Sequence, residues 1–135
     1  MNIKTVVLKN DLPKITAQMA PYARLVVLKT TLDIERESKQ SMSGPKHGRE
    51  YPSKNRKMHQ ASAPGEAPAI DTGVLVNSIQ SQMTGPMTGI VFTNTEYAPI
   101  LEFGSVHMAP RPFFLPAAKQ AWPSFLEAMK RIVNG

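Results

Sequence analysis

The residues best suited to chemistry lie late in the chain. Glu102 and Arg111 stand nine residues apart across a turn rich in glycine and proline. Opposite charges at that spacing can close as a charge-assisted pair, within one subunit or between two. Phe103, Phe113 and Phe114 would bury beside the pair, and Leu101, Gly104 and Pro112 frame it. The plainer reading is ordinary core packing with a surface ion pair, and the spacing alone leaves both readings open.

Other constellations are absent from the sequence. His47, His59 and His107 form no i, i+4 pair and no tight ligand cluster, so no metal site is expected. With no cysteine, disulfides, thiolate metal sites and a cysteine nucleophile are excluded. There is no G-x-S-x-G elbow and no P-loop. Glu96 and Glu102 are close in sequence but not diagnostic of a carboxylate pair. The expectation is a protein with no catalytic residues and no cofactor.

Charge is the next signal. The formal net charge is +6, and the stretch 39–63 holds Lys39, Lys46, Arg49, Lys54, Arg56 and Lys57 against Glu50 alone. Flexible Lys and Arg side chains contact phosphates without reading sequence. Lys46, Arg49, Lys54, Arg56 and Lys57 are therefore candidates for contacts with DNA in a channel, or with a neighbouring chain. A solvated loop is the simplest alternative. No recognition helix or aromatic stacking pattern accompanies the charge, so reading of a base sequence is not expected.

These residues need elements to position them. Thr5–Leu8 reads as a short strand. A long helix is expected from about residue 12 to residue 40, with Asp11 as N-cap and Pro13 in its first turn. Leu12, Ile15, Met19, Tyr22 and Val26, continued by Leu25, Leu28 and Leu32, have the spacing of one buried face. Pro21 inside that pattern predicts a kink near Ala17–Ala20. Residues 41–69 keep no helical or strand period and read as an extended, flexible, basic arm, well beyond the usual length of a loop. Asp71 or Thr72 then caps a short helix carrying Val74, Leu75 and Ile79. Ser78–Met83 and Gly89–Thr93 read as strands joined through Thr84-Gly85-Pro86. Tyr97–Phe103 suits one or two helical turns ended by Gly104, and the prolines from Pro110 to Pro116 enforce an extended path. A closing helix runs from about Leu115 to Val133. Its expected buried face is Ala118, Ala121, Trp122, Phe125, Met129 and Ile132, and Pro123 is expected to kink or restart it.

This order predicts one α+β domain over residues 1–135. A long kinked N-terminal helix and a C-terminal helix would pack on a small antiparallel sheet, with residues 41–69 as a long flexible basic loop. The apolar run at Val6–Leu8 is too short for a secretory signal, and no window approaches the roughly 20 apolar residues of a membrane span. A soluble, non-secreted chain without membrane contact is expected.

From residue 64 onward the order of motifs is specific. Pro64-Gly65-Glu66-Ala67-Pro68-Ala69 is followed by Asp71-Thr72-Gly73-Val74-Leu75 with Ser78-Ile79. Tyr97-Ala98 with Leu101-Glu102-Phe103-Gly104 comes next, then Ala109-Pro110-Arg111-Pro112-Phe113 with Pro116-Ala117. This set resembles the HK97 gp10-like family of phage morphogenesis proteins, described as tail-component or neck proteins. Val74-Leu75-Val76-Asn77 departs from it by lacking an arginine between the DTG and SI elements. The resemblance implies a structural virion protein of a tailed bacteriophage: a tail-completion or neck component forming a ring at the head–tail junction and aiding head–tail joining, with no catalytic residues. It implies self-assembly, with six-fold symmetry matching the tail tube, and contact with the tail terminator, the head-completion or stopper protein and the tail tube. Genomic DNA would pass through the channel. The protein would reside in the virion tail or neck, and in the host cytoplasm during assembly. In that setting Leu101, Glu102, Phe103, Gly104, Arg111, Pro112 and Phe113 are the candidate subunit-interface residues. The alternative is a small non-specific DNA-binding protein acting through the basic arm.

Overall fold

Residues 5–9, 17–52, 58–70 and 73–134 are described in the computed structural model. The chain opens with β1 (Thr5–Lys9) and continues into α1 (Ala20–Ser43). Pro21 lies in the first turn of α1, where the missing N–H has no helical acceptor to lose and the fixed φ suits the helix. It therefore starts the helix instead of kinking it. The expected cap at Asp11, with Leu12, Pro13 and Ile15, falls outside the described residues.

Apart from Val26, which packs against the core, the described part of the predicted α1 face is not the buried one. Ala23, Val27, Thr30, Thr31, Ile34, Ser38 and Met42 recur three or four apart and are buried. Tyr22 is 64% exposed, Leu25 62% and Leu32 48%. The cause is closeness of approach. Small and β-branched residues let α1 lie near its neighbours, and the two threonine hydroxyls are satisfied within the helix, while the buried Ser38 hydroxyl has no partner among the described residues. Thr30 Oγ1 donates to the Val26 carbonyl at 2.8 Å and Thr31 Oγ1 to that of Val27 at 2.7 Å, leaving their methyl groups to pack.

The described residues of the predicted arm are not an extended flexible loop. α1 extends into it as far as Ser43, and β2 (Glu50–Pro52) pairs antiparallel with β3 (Met58–Gln60), Tyr51 opposite His59. The root of this hairpin is closed by Gly48 N–H on the Ala61 carbonyl (2.9 Å) and Ala61 N–H on that of Arg49 (3.0 Å). The period was missed because the strands are only three residues each and Pro52 sits in one of them.

After the hairpin come α2 (Val74–Ser78), β4 (Gln80–Gly85) and β5 (Thr88–Phe92). β4 starts two residues later than Ser78 because Ser78 Oγ bonds the Leu75 carbonyl at 2.6 Å and finishes the helix. β5 lies between β1 and β4, antiparallel to both, with Val91 opposite Val6 and Ser81. A Cβ at Gly89 would collide with the Thr31 side chain, so β5 lies flush on α1 there.

The chain ends with α3 (Ala98–Phe103) and α4 (Phe114–Asn134). α4 continues through Pro123 without restarting, the proline facing solvent. Of its predicted face, Phe125 and Met129 are buried, Ala118, Ala121 and Ile132 pack against the core, and Trp122 is half exposed. Two apolar clusters result. Ile34, Met42, Ile79, Val91, Phe113 and Phe114 form the larger, beneath the sheet and α3. Ala23, Val27, Phe125 and Met129 join α1 to α4. The architecture is α+β, with N- and C-terminal helices packed on a small antiparallel sheet.

Candidate functional site

Glu102 lies on α3 and its carboxylate points into the protein, 5% exposed. Oε2 accepts the Phe113 N–H at 3.1 Å and Oε1 the Phe114 N–H at 2.7 Å. α4 begins at Phe114, so Glu102 caps that helix from a different element. It satisfies amides that have no partner within the helix and places negative charge at the positive end of the helix dipole. Burial holds its pKa above the ordinary 4.5, opposed by hydrogen bonds from the amides of Phe114, Leu115 and Phe113.

The anticipated Glu102–Arg111 pair is therefore not formed. The Arg111 amide donates to the Leu101 carbonyl at 2.6 Å, and its Nη1 reaches Ser62 Oγ at 3.3 Å. Its Nε is buried without a hydrogen-bond partner among the described residues. Arg111 opens onto a cleft of about 360 Å3 walled by Met42, Pro68, Leu75, Val76 and Leu101.

The turn between Glu102 and Arg111 has strict backbone demands. Gly104 has φ 79°, and a Cβ there would meet the Met108 carbonyl at 2.7 Å and the Pro110 ring. Among the other predicted interface residues, Phe113 is buried, Leu101 and Pro112 are partly buried, and Phe103 is half exposed. Glu102 and Phe113 thus lie inside the protein, and the exposed apolar groups nearby are Phe103, Ile100 and Val106, the last 96% exposed.

The segment 61–68 is strapped to this turn. Ser62 is buried, Ala67 packs on the core, and Gly65 N–H donates to the Pro110 carbonyl at 3.0 Å. Glu66 fastens both ends of the hairpin excursion, accepting the amides of Ala63 at 2.9 Å and His47 at 3.0 Å, with His47 Nδ1 at 3.2 Å. The Ala63 amide, and then the His47 contacts, hold its carboxyl below the ordinary 4.5.

Of the basic candidates, Arg49 is exposed, while Lys46 Nζ bonds the Ser41 carbonyl at 2.7 Å. Burial lowers the Lys46 pKa, with the nearby Glu66 charge acting the other way. Lys54, Arg56 and Lys57 lie outside the described residues. Among the described residues no cluster of His, Asp and Glu could hold a metal ion, and no helix is long and apolar enough to cross a membrane.

A second apolar surface lies on α1, whose leucines have the spacing of a buried face that could cover the sheet or pack on a neighbouring copy. Tyr22, Leu25, Leu28 and Leu32 all face outward on α1. The ion pairs Lys29–Asp33 (2.7 Å) and Arg36–Asp33 (3.2 Å) lie on the same helix. The available signal was the competing small-residue series Ala23, Val27, Thr31, Ile34, Ser38, which has the same period on the other side. No family model, no curated protein and no solved structure matches the chain.

Proposed function

We propose that the chain is a structural assembly protein of a tailed bacteriophage. It acts as a tail-completion or neck component whose copies form a ring where tail meets head, and its role is geometric, not catalytic. The observation that carries this reading beyond the motif resemblance is the outward apolar face of α1. Leaving Tyr22, Leu25 and Leu32 in water forgoes about 25 cal/mol for each Å2 that a neighbour would cover. Closed rings use head-to-tail contacts between two unlike patches of the same subunit. The α1 face and the Ile100, Phe103, Val106 group supply two such patches on different elements. The hairpin strapped beside the Gly104 turn supports a role as a clasp on the next subunit.

Electron microscopy of a lysate from phage with an early stop codon in this gene tests the reading. Filled heads beside separate tails are expected, and complete infectious particles would overturn it. In that case non-specific DNA binding through the basic residues of 39–63 becomes the leading account. Its mark would be salt-dependent DNA affinity in the isolated protein, weakened by neutralising Lys54, Arg56 and Lys57.

A further inference from the structure

We propose that the free edge of β4, with the leucine stripe of α1 beside it, pairs with the same surface of a second copy, giving a two-fold dimer with one sheet running through both molecules. In the sheet order β1-β5-β4, β4 is an outer strand, and no strand among the described residues pairs with its outer side. That side is a row of backbone N–H and C=O groups open to another strand. Charged residues and proline are the usual guards of such an edge, and β4, Gln80–Gly85, carries neither. The irregularity in its pairing with β5 falls between Met83 and Gly85, so residues 80–83 stay regular.

The position of α1 selects a second copy over an unrelated strand. A Cβ at Gly89 of β5 would meet Thr31, and the Ser81 hydroxyl of β4 donates to Glu35 Oε2 at 3.2 Å, so α1 lies over both strands. Leu25, Leu28 and Leu32 precede Glu35 at steps of three and four residues and share its side of the helix. The other flank is taken by α4, where Val26 and Thr30 line a groove with Ala121 and Ser124. The leucines therefore flank the free edge. A two-fold axis normal to the sheet sets β4 antiparallel to its copy and keeps both α1 helices on one side. With strands about 4.8 Å apart, helices seated between β5 and β4 then lie roughly 10 Å from each other, at the upper end of the about 8–10 Å of packed helix pairs. The two leucine stripes fill that gap, whereas a lone strand would cover the edge and leave the leucines in water. Charge does not oppose the match, because Glu35, the acid at the end of the stripe, is neutralised by Lys39 at 3.6 Å. A head-to-tail ring needs the same leucines against an unlike patch. On the ring reading, the dimer is thus the form held before assembly and opens as the ring closes; the pairing itself does not rest on that reading.

The test is sedimentation of the full chain with single charges placed on β4. Ser81 and Met83 face α1, so the exposed Gln82 lies on the opposite side of the sheet. An axis through the middle of residues 80–83 sets Gln82 beside its copy. The wild-type chain should form a dimer. Gln82→Lys and Gln82→Glu should each weaken it roughly tenfold or more, through like charges facing across the axis. An equal mixture of the two variants should restore it as a heterodimer, and Leu25→Glu with Leu32→Glu should abolish it. Restoration on mixing marks a two-fold contact, since residue 82 does not meet itself in a head-to-tail one. A chain that stays monomeric or passes directly from monomer to a larger ring, a dimer indifferent to the Gln82 variants or to the leucine pair, or a mixture no tighter than its components would each overturn the proposal. Head–tail joining in the phage is read separately, so the ring reading and this dimer can fail independently.

Discussion

Two carboxylates with opposite pKa displacements make this protein's stability depend on pH in opposite directions. Glu102 is held above its ordinary value by burial, so the folded state binds more protons than the unfolded one between pH 4.5 and the raised folded value. Its contribution is fully present below the unfolded value and is lost as pH rises through the folded one. Glu102→Gln should remove that downward slope from the stability-versus-pH curve measured in urea. Glu102→Ala should cost about 2–4 kcal/mol at neutral pH, since two buried amides lose their acceptor. Glu66 has the reverse sign: held low by the Ala63 and His47 amides, it contributes above 4.5 and is lost as pH falls through its folded value. Hydrogen exchange at the His47 and Ala63 amides should therefore quicken below pH 4.5, relative to the trend of the core amides. Unchanged protection there would show that Glu66 does not hold the strap. Neither role was legible in the sequence. Glu102 was singled out by its charge and position, but its partners are backbone amides brought near by the Gly104 turn, and amides carry no sequence signature.

At the scale of elements, α1 shows what periodicity can and cannot decide. The helix carries two series at helical spacing, one of large apolar residues and one of small and hydroxylated ones, and period alone does not rank them. Size pointed to Leu25, Leu28 and Leu32 as core, whereas the tight seat under Gly89 selects Thr31 and its neighbours. The two assignments separate cleanly by mutation. Ile34→Ala, at a fully buried site, should cost about 2–4 kcal/mol in chemical denaturation. Leu25→Glu should change monomer stability by no more than about 0.5 kcal/mol. A large loss from Leu25→Glu in a dilute monomer would place the leucines in the core after all. The remaining elements were more legible. β1, the β4–β5 hairpin, α2, α3 with its Gly104 stop, and α4 lie within a few residues of their expected places, because each is bounded by glycine, proline or a turn sequence that fixes the backbone locally.

For the whole molecule, the order long helix, basic arm, small sheet, closing helix follows from hydrophobic pattern and chain punctuation, whereas the β2–β3 hairpin within the arm was not legible in the sequence. What brings Arg111 to Ser62 across the fold, or turns the leucines outward, depends on packing between distant segments and was not visible there. The outward leucines predict association at high concentration. Sedimentation of the wild-type chain should show species larger than a monomer that Leu25→Glu with Leu32→Glu removes. An unchanged distribution would separate this face from self-assembly.

The fastening at Glu66 also makes the hairpin excursion modular. Its two ends, His47 and Ala63, meet on one carboxylate that is itself tied to the body through Gly65 and Pro110. The span between them is a closed loop whose root geometry does not depend on its contents. Loop closure grows only logarithmically with length, so doubling the excursion would cost about 0.6 kcal/mol. Foreign sequence grafted between β2 and β3 should therefore leave the body folded, and if copies do form a ring, each graft would be displayed once per subunit at a fixed radius.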